Sequence, residues 1–309
     1  MMSKDAKVFI GIMGASFLTY EVVTRIWTYY RARCSPLVPI GIVKELFVYP
    51  VKSCKGISLF SVYCDKTGPH SGEIFDRHFT VMDGKTGRLY SGREKPQLVT
   101  IKVCVSDGVL TAEATDGSST KVDIEKVRRD HVVKNCKQLY NIKTDGFDCG
   151  DEAAKFFAKA IDEPDARLLM YSKELHNDPF VTTNDWWNNN VPRRKDYVTT
   201  GNFRPVIVID KCPAWDEDRW LDLQIGETKL QCFKPCNRCV LITVDPVTGV
   251  KDNNTQPLRK LREFRLAPEG KLREFFKDSP IFGVSVGVDR PGYIHVGQVV
   301  YARYKKSAF

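Results

Sequence analysis

Close groupings of histidine are missing from this chain: its five histidines are scattered, and no second Cys-x-x-Cys accompanies Cys236 and Cys239. A structural zinc centre takes four ligands, usually from two such pairs, and the sequence supplies only one. Cysteine itself is plentiful, but the others (34, 54, 64, 104, 136, 149, 212 and 232) fall singly and without regular spacing. That pattern excludes a disulfide framework and reads as free thiols. No haem or flavin motif is visible, so redox chemistry here would draw its electrons from another protein. The net charge is +9, yet no zinc-finger, helix-turn-helix or RNA-recognition signature accompanies it, which leaves nucleic acid unsupported as a partner. An anionic ligand, an acidic protein or a membrane surface fits the charge better.

The 309 residues suffice for two domains, with an ordinary balance of 42% apolar and 28% charged residues. A long hydrophobic run is also lacking. The uncharged stretch Val8 to Tyr20, between Lys7 and Glu21, is thirteen residues, against the ~20 that span a bilayer. Extended through Val22, Val23, Ile26, Trp27, Tyr29 and Tyr30 to Arg31 and Arg33, it reaches spanning length. Residues 1–34 therefore read as an uncleaved N-terminal membrane anchor helix with the folded part on the cytosolic side. An amphipathic surface helix is the alternative.

The most informative stretch is Phe233-Lys234-Pro235-Cys236-Asn237-Arg238-Cys239, followed by Val240 to Val244 and the turn Asp245-Pro246-Val247-Thr248-Gly249. A thiolate beside a fixed positive charge is a nucleophile or a soft-metal ligand. The run after Cys239 reads as a β-strand, which would put the thiols at a strand entrance and speaks against a thioredoxin-like strand-to-helix site. Two buried cysteines acting as small hydrophobes are the plain alternative. The neighbouring Asn237 and Arg238, which need polar partners, sit awkwardly with it.

Elsewhere the pattern is mostly β. A stiff linker, Ser35 to Pro39, precedes a strand through Ile42, Val43, Leu46, Phe47 and Val48. Phe79 to Met82 and Arg88 to Tyr90 flank Asp83-Gly84-Lys85-Thr86-Gly87 as a hairpin, and Val99 to Val105 with Val109 to Ala112 form another. Gly150 to Ile161 has helical spacing, with Ala153, Ala154, Phe157 and Ile161 on one face. Pro205 to Ile209 reads as a buried strand, and Leu223 to Gly226 pairs with Thr228 to Phe233. Lys260 to Phe264 and Lys271 to Phe275 are short amphipathic pieces. Strands resume at Ile281 to Val288 and Ile294 to Tyr301. Asn177 to Asp196 is polar and reads as an exposed loop. The fold class is α+β and β-rich, the second half a β-barrel or strongly curved sheet.

Basic and hydroxyl side chains recur at predicted strand ends: Lys52-Ser53, Asp76-Arg77, Arg93 to Pro96 and Asn202 to Pro205. Arginine offers a bidentate fork to phosphate and lysine a point charge. Beside a charge-flanked thiol they suit an anionic cofactor next to a soft metal. The ordered set YPVKSCKG (49–56), DRHF (76–79), REKPQL (93–98), NFRP (202–205), DEDRW (216–220), IG (225–226) and PCNRCVLITVDPVTG (235–249) resembles the MOSC-domain family, in its amidoxime-reducing mitochondrial branch. The resemblance runs from about Ile40 to Tyr301. It implies a MOSC N-terminal β-rich domain over 37–160 and a MOSC domain over 170–303.

The resemblance further implies a Mo-molybdopterin cofactor with Cys239 as the thiolate ligand of the metal, and Cys236 not a ligand. Lys52, Ser53, Arg77 and Arg204 would hold the pterin and its phosphate, with Asn237 and Arg238 reaching it from the thiol loop. Asn177, Asp178 and Ser285 fall where relatives make further contacts, although these side chains differ from familiar members. The implied activity is reduction of N-hydroxylated compounds such as amidoximes, with electrons from cytochrome b5 and NADH-cytochrome b5 reductase, at the outer mitochondrial membrane facing the cytosol. Whether nitrite is also reduced is left open. A non-catalytic carrier of the cofactor shares every one of these residues and is the rival reading. A sulfur-handling enzyme would need a separate pyridoxal-binding domain, for which the chain is too short.

Overall fold

The computed structural model describes residues 19–20, 22–23, 35–137, 143–172, 175 and 200–308. The anchor segment and the polar loop from Asn177 to Asp196 lie outside the described residues, apart from the four residues between 19 and 23. Among the described residues no helix is long and apolar enough to cross a membrane.

The chain is β-rich α+β, and every pairing between its named strands is antiparallel. A seven-stranded sheet runs in the order Ile207–Asp210, Val38–Val48, Val299–Tyr304, Trp220–Ile225, Thr228–Asn237 and Ile281–Arg290, with Ile57–Leu59 added to Val38–Val48. A four-stranded sheet has the order Val133–Lys137, Lys143–Asp148, Ala166–Tyr171 and Phe79–Asp83. Two smaller sheets complete the fold, one of which pairs Gly292–His295 with Ser61–Asp65.

The strand Val38–Val48 comes from the first half but is embedded in the sheet of the second. Among its buried residues Ile40, Val43 and Leu46 are three apart rather than two, where bulges between Pro39 and Gly41 and between Val43 and Glu45 each insert a residue, and Val48 resumes the spacing of two. They pack with Leu223, Ile225, Leu230 and Val300 in one core. A second core, built on Phe79, Val81, Phe147 and Leu168, is closed by the helix Asp151–Ile161 through Phe156, Phe157 and Ile161. Asp151 and Glu152 lie in the helix's first turn, where its dipole favours negative charge. The two cores adjoin where the first strand ends, and the site forms there.

Several expectations are corrected. The linker is shorter than read, since Val38 and Pro39 already belong to the strand. Arg88 to Tyr90 contributes only the bridge Met82–Leu89, and the true partner of Phe79–Asp83 is Ala166–Tyr171, which can cover its whole length. Val99 and Thr100 belong to a 3-10 turn, Pro96–Thr100, because the proline starts a turn and gives no ladder donor. Ile207–Asp210 is half-buried rather than buried and, among the described residues, is an edge strand paired only with Val38–Val48. Ile294 to Tyr301 splits at Gly297 into strands of two different sheets.

The main correction concerns the thiols. Val240–Thr243 is a 3-10 turn and not a strand, so Cys236 and Cys239 sit at the exit of Thr228–Asn237. The Thr243 hydroxyl closes the turn by donating to the Val240 carbonyl at 2.7 Å, and Ile242 is drawn into a small core with Leu258 and Leu261. A short apolar run does not by itself distinguish the two forms.

Candidate functional site

The chain leaving Val38–Val48 places Tyr49 where both halves can reach it. Its amide donates to Asp76 Oδ1 at 2.9 Å, and its carbonyl accepts from the Arg77 amide at 2.7 Å. Its hydroxyl donates to the Pro205 carbonyl, at 3.1 Å, across the seam between the halves. The ring is buried, with the Arg204 guanidinium 4.3 Å and the Arg77 guanidinium 5.5 Å from its centroid. Burial pushes the phenol up to about 12, against the opposing pull of the two arginines. Tyr49 is therefore a neutral π-face between two cations. Gly56 makes room for it, since a Cβ there would lie 2.5 Å from a ring carbon.

Arg204 donates through Nη2 to the Cys54 carbonyl at 2.6 Å, and burial lowers its pKa from the ordinary arginine value. Arg77 is paired with Asp76 and half exposed. Three of the residues singled out in the sequence, Ser53, Arg77 and Arg204, have left-handed backbones with φ of 73°, 52° and 50°. Such conformations cost non-glycine residues energy and gather at functional sites. Lys52 is held below the usual lysine range, first by burial, while the Cys136 thiol opposes that shift and Arg77 and Arg93 add to it.

The thiol loop joins this cluster through Arg238. Its Nε donates to the Phe282 carbonyl at 2.7 Å and its Nη1 to the Phe203 carbonyl at 2.9 Å, and the two phenyl rings flank the guanidinium. Its own amide donates to Pro280 at 2.7 Å. Burial lowers the Arg238 pKa, while the flanking Cys236 and Cys239 thiols raise it, so the cation and both sulfurs share one electrostatic neighbourhood. A Cβ on Gly92 would meet Leu241 Cδ1 and Val99 Cγ1 at 3.0 Å and Ser53 Cβ at 3.5 Å. That close approach brings the basic loop up to the thiol loop.

Lys52, Ser53, Arg77, Arg204, Arg238 and Cys239 thus gather along one seam. Asn237 is exposed at the end of its strand, opposite Ile281. Ser285 lies further up the ladder, opposite Lys234. Asn177 and Asp178 lie outside the described residues. Among the described residues no three His, Cys, Asp or Glu side chains group as metal ligands, so a metal at Cys239 would take fewer than three such ligands from this part of the chain. A cleft of about 1150 Å³ opens near Phe203, Trp215, Phe264 and Phe282; Asn202 lines it, but none of the residues read as cofactor contacts does. The sequence reading missed Tyr49, although it stands first in the YPVKSCKG motif. It also missed the pair Phe203 and Phe282, which no motif connects.

Residues 40–164 match the MOSC N-terminal beta barrel domain, and residues 163–301 match the MOSC domain. Mitochondrial amidoxime reducing component 2 of Bos taurus is 32% identical, with 86% of this chain and 84% of the relative covered. The human protein of the same name is 31% identical, covering 90% and 87%. Human mitochondrial amidoxime-reducing component 1 is 30% identical, with the same coverage of 90% and 87%.

Proposed function

The chain belongs to the MOSC-domain family, and on that premise we propose that it is a molybdenum-cofactor oxidoreductase that reduces N-hydroxylated compounds such as amidoximes. The observation that carries the reading is the seam at Tyr49, where Arg77 and Arg204 meet beside the Arg238–Cys239 loop. The donor set fits a Mo-molybdopterin group: guanidinium and ammonium groups for its phosphate and polar edges, and one soft thiolate for its metal. When bound, the cofactor supplies a two-electron reduction in which the substrate N–O bond is cleaved, two protons are added, and water leaves.

Cys239 is the thiolate ligand. Lys52, Ser53, Arg77 and Arg204 hold the pterin and phosphate, and Asn237 and Arg238 close the cofactor in from the thiol loop. Asn177, Asp178 and Ser285 add contacts. Arg238 is fixed by two carbonyls and two rings, which holds its charge in the thiol loop. Electrons come from cytochrome b5, reduced by NADH-cytochrome b5 reductase, and a chain of net charge +9 suits an acidic donor. Residues 1–34 anchor the protein in the outer mitochondrial membrane, and the folded domains, 37–160 and 170–303, face the cytosol.

Full-length protein from a cofactor-competent host, wild type and Cys239→Ala, tests this. The measurements are molybdenum and pterin content, then benzamidoxime reduction with cytochrome b5 and its reductase. We expect stoichiometric metal and turnover in the wild type, both lost in the variant. Cofactor without turnover would favour the carrier, and a wild type free of molybdenum would overturn both readings.

A further inference from the structure

The cleft of about 1150 Å³ has aromatic walls, Phe203, Trp215, Phe264 and Phe282. These rings hold one another edge-on, with the Trp215 centroid 5.8 Å from that of Phe264 and 5.2 Å from that of Phe282. The Arg265 guanidinium braces Trp215 at 4.2 Å from its ring centroid. Small-molecule sites are clefts of this kind, largely pre-formed and apolar, with a few polar groups that fix orientation. Trp215 adds two further signs. Its backbone is left-handed, with φ of 69°, which a bulky residue adopts rarely and at a cost. Its indole nitrogen is buried and has no hydrogen-bond partner among the described residues. An indole N–H only donates, so what it lacks is an acceptor.

The charges on the wall balance, Lys251 and Lys260 against Asp245 and Asp252. Most are already engaged. Asp245 Oδ1 accepts from the Val247 and Thr248 amides at 2.7 and 2.9 Å, Asp252 Oδ1 accepts from the Gln256 amide at 2.9 Å, and Lys260 pairs with Glu263 at 2.8 Å. A neutral ring system with an acceptor on its edge suits such a wall better than an ion does. The cleft also reaches the thiol loop. Thr243 lines it, at the end of the 3-10 turn that leaves Cys239. At about 2 Å of rise per residue, those four residues cover about 8 Å, the length of a two-ring aromatic system. Asn202, on the same wall, ties the turn down by donating to the Ile242 and Val244 carbonyls at 3.1 and 3.3 Å. Phe203 and Phe282 are shared, since they flank the Arg238 guanidinium and also line the cleft.

We propose that this cleft is the subsite for the carbon body of the substrate, and that it selects neutral N-hydroxylated compounds carrying a fused two-ring aromatic body with a hydrogen-bond acceptor. Small aliphatic compounds leave it empty. The proposal rests on the reductase reading above and adds Trp215, Val250 and Phe264 to it as residues that determine specificity. The ring system packs against Trp215 and Phe264, and the N-hydroxyl end lies towards Cys239.

The test uses full-length wild type, Val250→Trp and Phe264→Ala, with quinoline-6-carboxamidoxime and acetamidoxime as the large and small probes. Val250 lines the cleft but is 65% exposed, so a large ring there narrows the mouth without entering a core. That variant decides the matter if Phe264→Ala folds poorly. Without an electron donor, titration calorimetry should show the quinoline compound bound to the wild type and held about tenfold more weakly by each variant, the upper worth of one aromatic pair. With the donor present, the ratio of kcat/KM for the quinoline compound to that for acetamidoxime should fall about tenfold in both variants, through KM. A wild type that reduces acetamidoxime, yet binds and reduces the quinoline compound no better than Val250→Trp does, would overturn the subsite and leave the function standing. A wild type that reduces neither compound would overturn the function, and with it the cleft as a substrate site, even where calorimetry shows the ring bound.

Discussion

Removing the Asp218 carboxylate should destabilise this protein more than almost any other single change outside the hydrophobic cores. Asp218 and Arg265 form a two-pronged pair at 2.7 and 2.8 Å, with side chains only 6% and 1% exposed. Arg265 also donates through Nε to the Ile281 carbonyl at 2.8 Å and stacks 4.2 Å from the Trp215 ring centroid. Its own carbonyl accepts from the Ile281 amide, next to Pro280, to which the Arg238 amide donates. The pair therefore pins the start of the strand that supports the thiol loop. Asp218→Ala leaves a buried guanidinium without its counter-charge, at a cost of about 3–5 kcal/mol. Replacing both partners by apolar residues of similar volume removes the stranded charge and is often close to neutral. Guanidinium chloride unfolding of full-length wild type, Asp218→Ala, Arg265→Met and the double variant Asp218→Leu/Arg265→Met measures both effects. The single variants should lose about 3–5 kcal/mol, and the double variant should recover a large part. A loss below about 1 kcal/mol in Asp218→Ala, or a double variant no more stable than the weaker single, would refute the reasoning.

Gly56→Ala should push the Tyr49 ring off its position, since the new Cβ would lie 2.5 Å from it. Overpacking of this kind costs about 1–3 kcal/mol, and thermal melting together with pterin content would register it; an unchanged melt would mean the ring yields freely. His78 gives a pH dependence of definite sign. Burial lowers its pKa from 6.5 to about 4, so the unfolded chain binds the extra proton first as pH falls through that window. Stability is full above pH 6.5 and falls by up to about 3 kcal/mol towards pH 4, at about 1.4 kcal/mol per unit of displacement. Melts of wild type and His78→Phe across this range should diverge, and parallel curves would show that the imidazole does not titrate as described.

Residue chemistry was legible in the sequence to a greater extent than geometry. Lys52, Arg77, Arg204 and Cys239 were singled out by their combination in short polar motifs and by the family resemblance, and the fold sets the two arginines against the Tyr49 ring. The helix Asp151–Ile161 was equally plain, since its apolar spacing, acidic first turn and preceding glycine all agree. The form of the chain after Cys239 was not legible. Val240 to Val244 has strand composition, and only the packing of Ile242 against Leu258 and Leu261 makes it a turn. The partner of Phe79–Asp83 was hidden for the same reason: the local turn at Asp83 suggests a hairpin, but the longer ladder is made with residues more than eighty positions away.

Tyr49 was hidden because a single aromatic residue after a strand is read as core by default, and it is indeed buried. Its role comes from partners some 150 positions distant, Pro205 at its hydroxyl and Arg204 on its ring. The left-handed backbones of Ser53, Arg77 and Arg204 are likewise not written in residue type, for none of the three favours that conformation. Each is worth roughly 1–3 kcal/mol of strain, and at the two arginines the chain holds it in place with backbone hydrogen bonds, Arg77 to Tyr49 and Arg204 to Thr200. A glycine at any of these positions would relieve the backbone but remove the side chain. Stability is thus given up at the positions that deliver two guanidinium groups and a hydroxyl to the seam, as expected where side-chain placement matters more than local comfort.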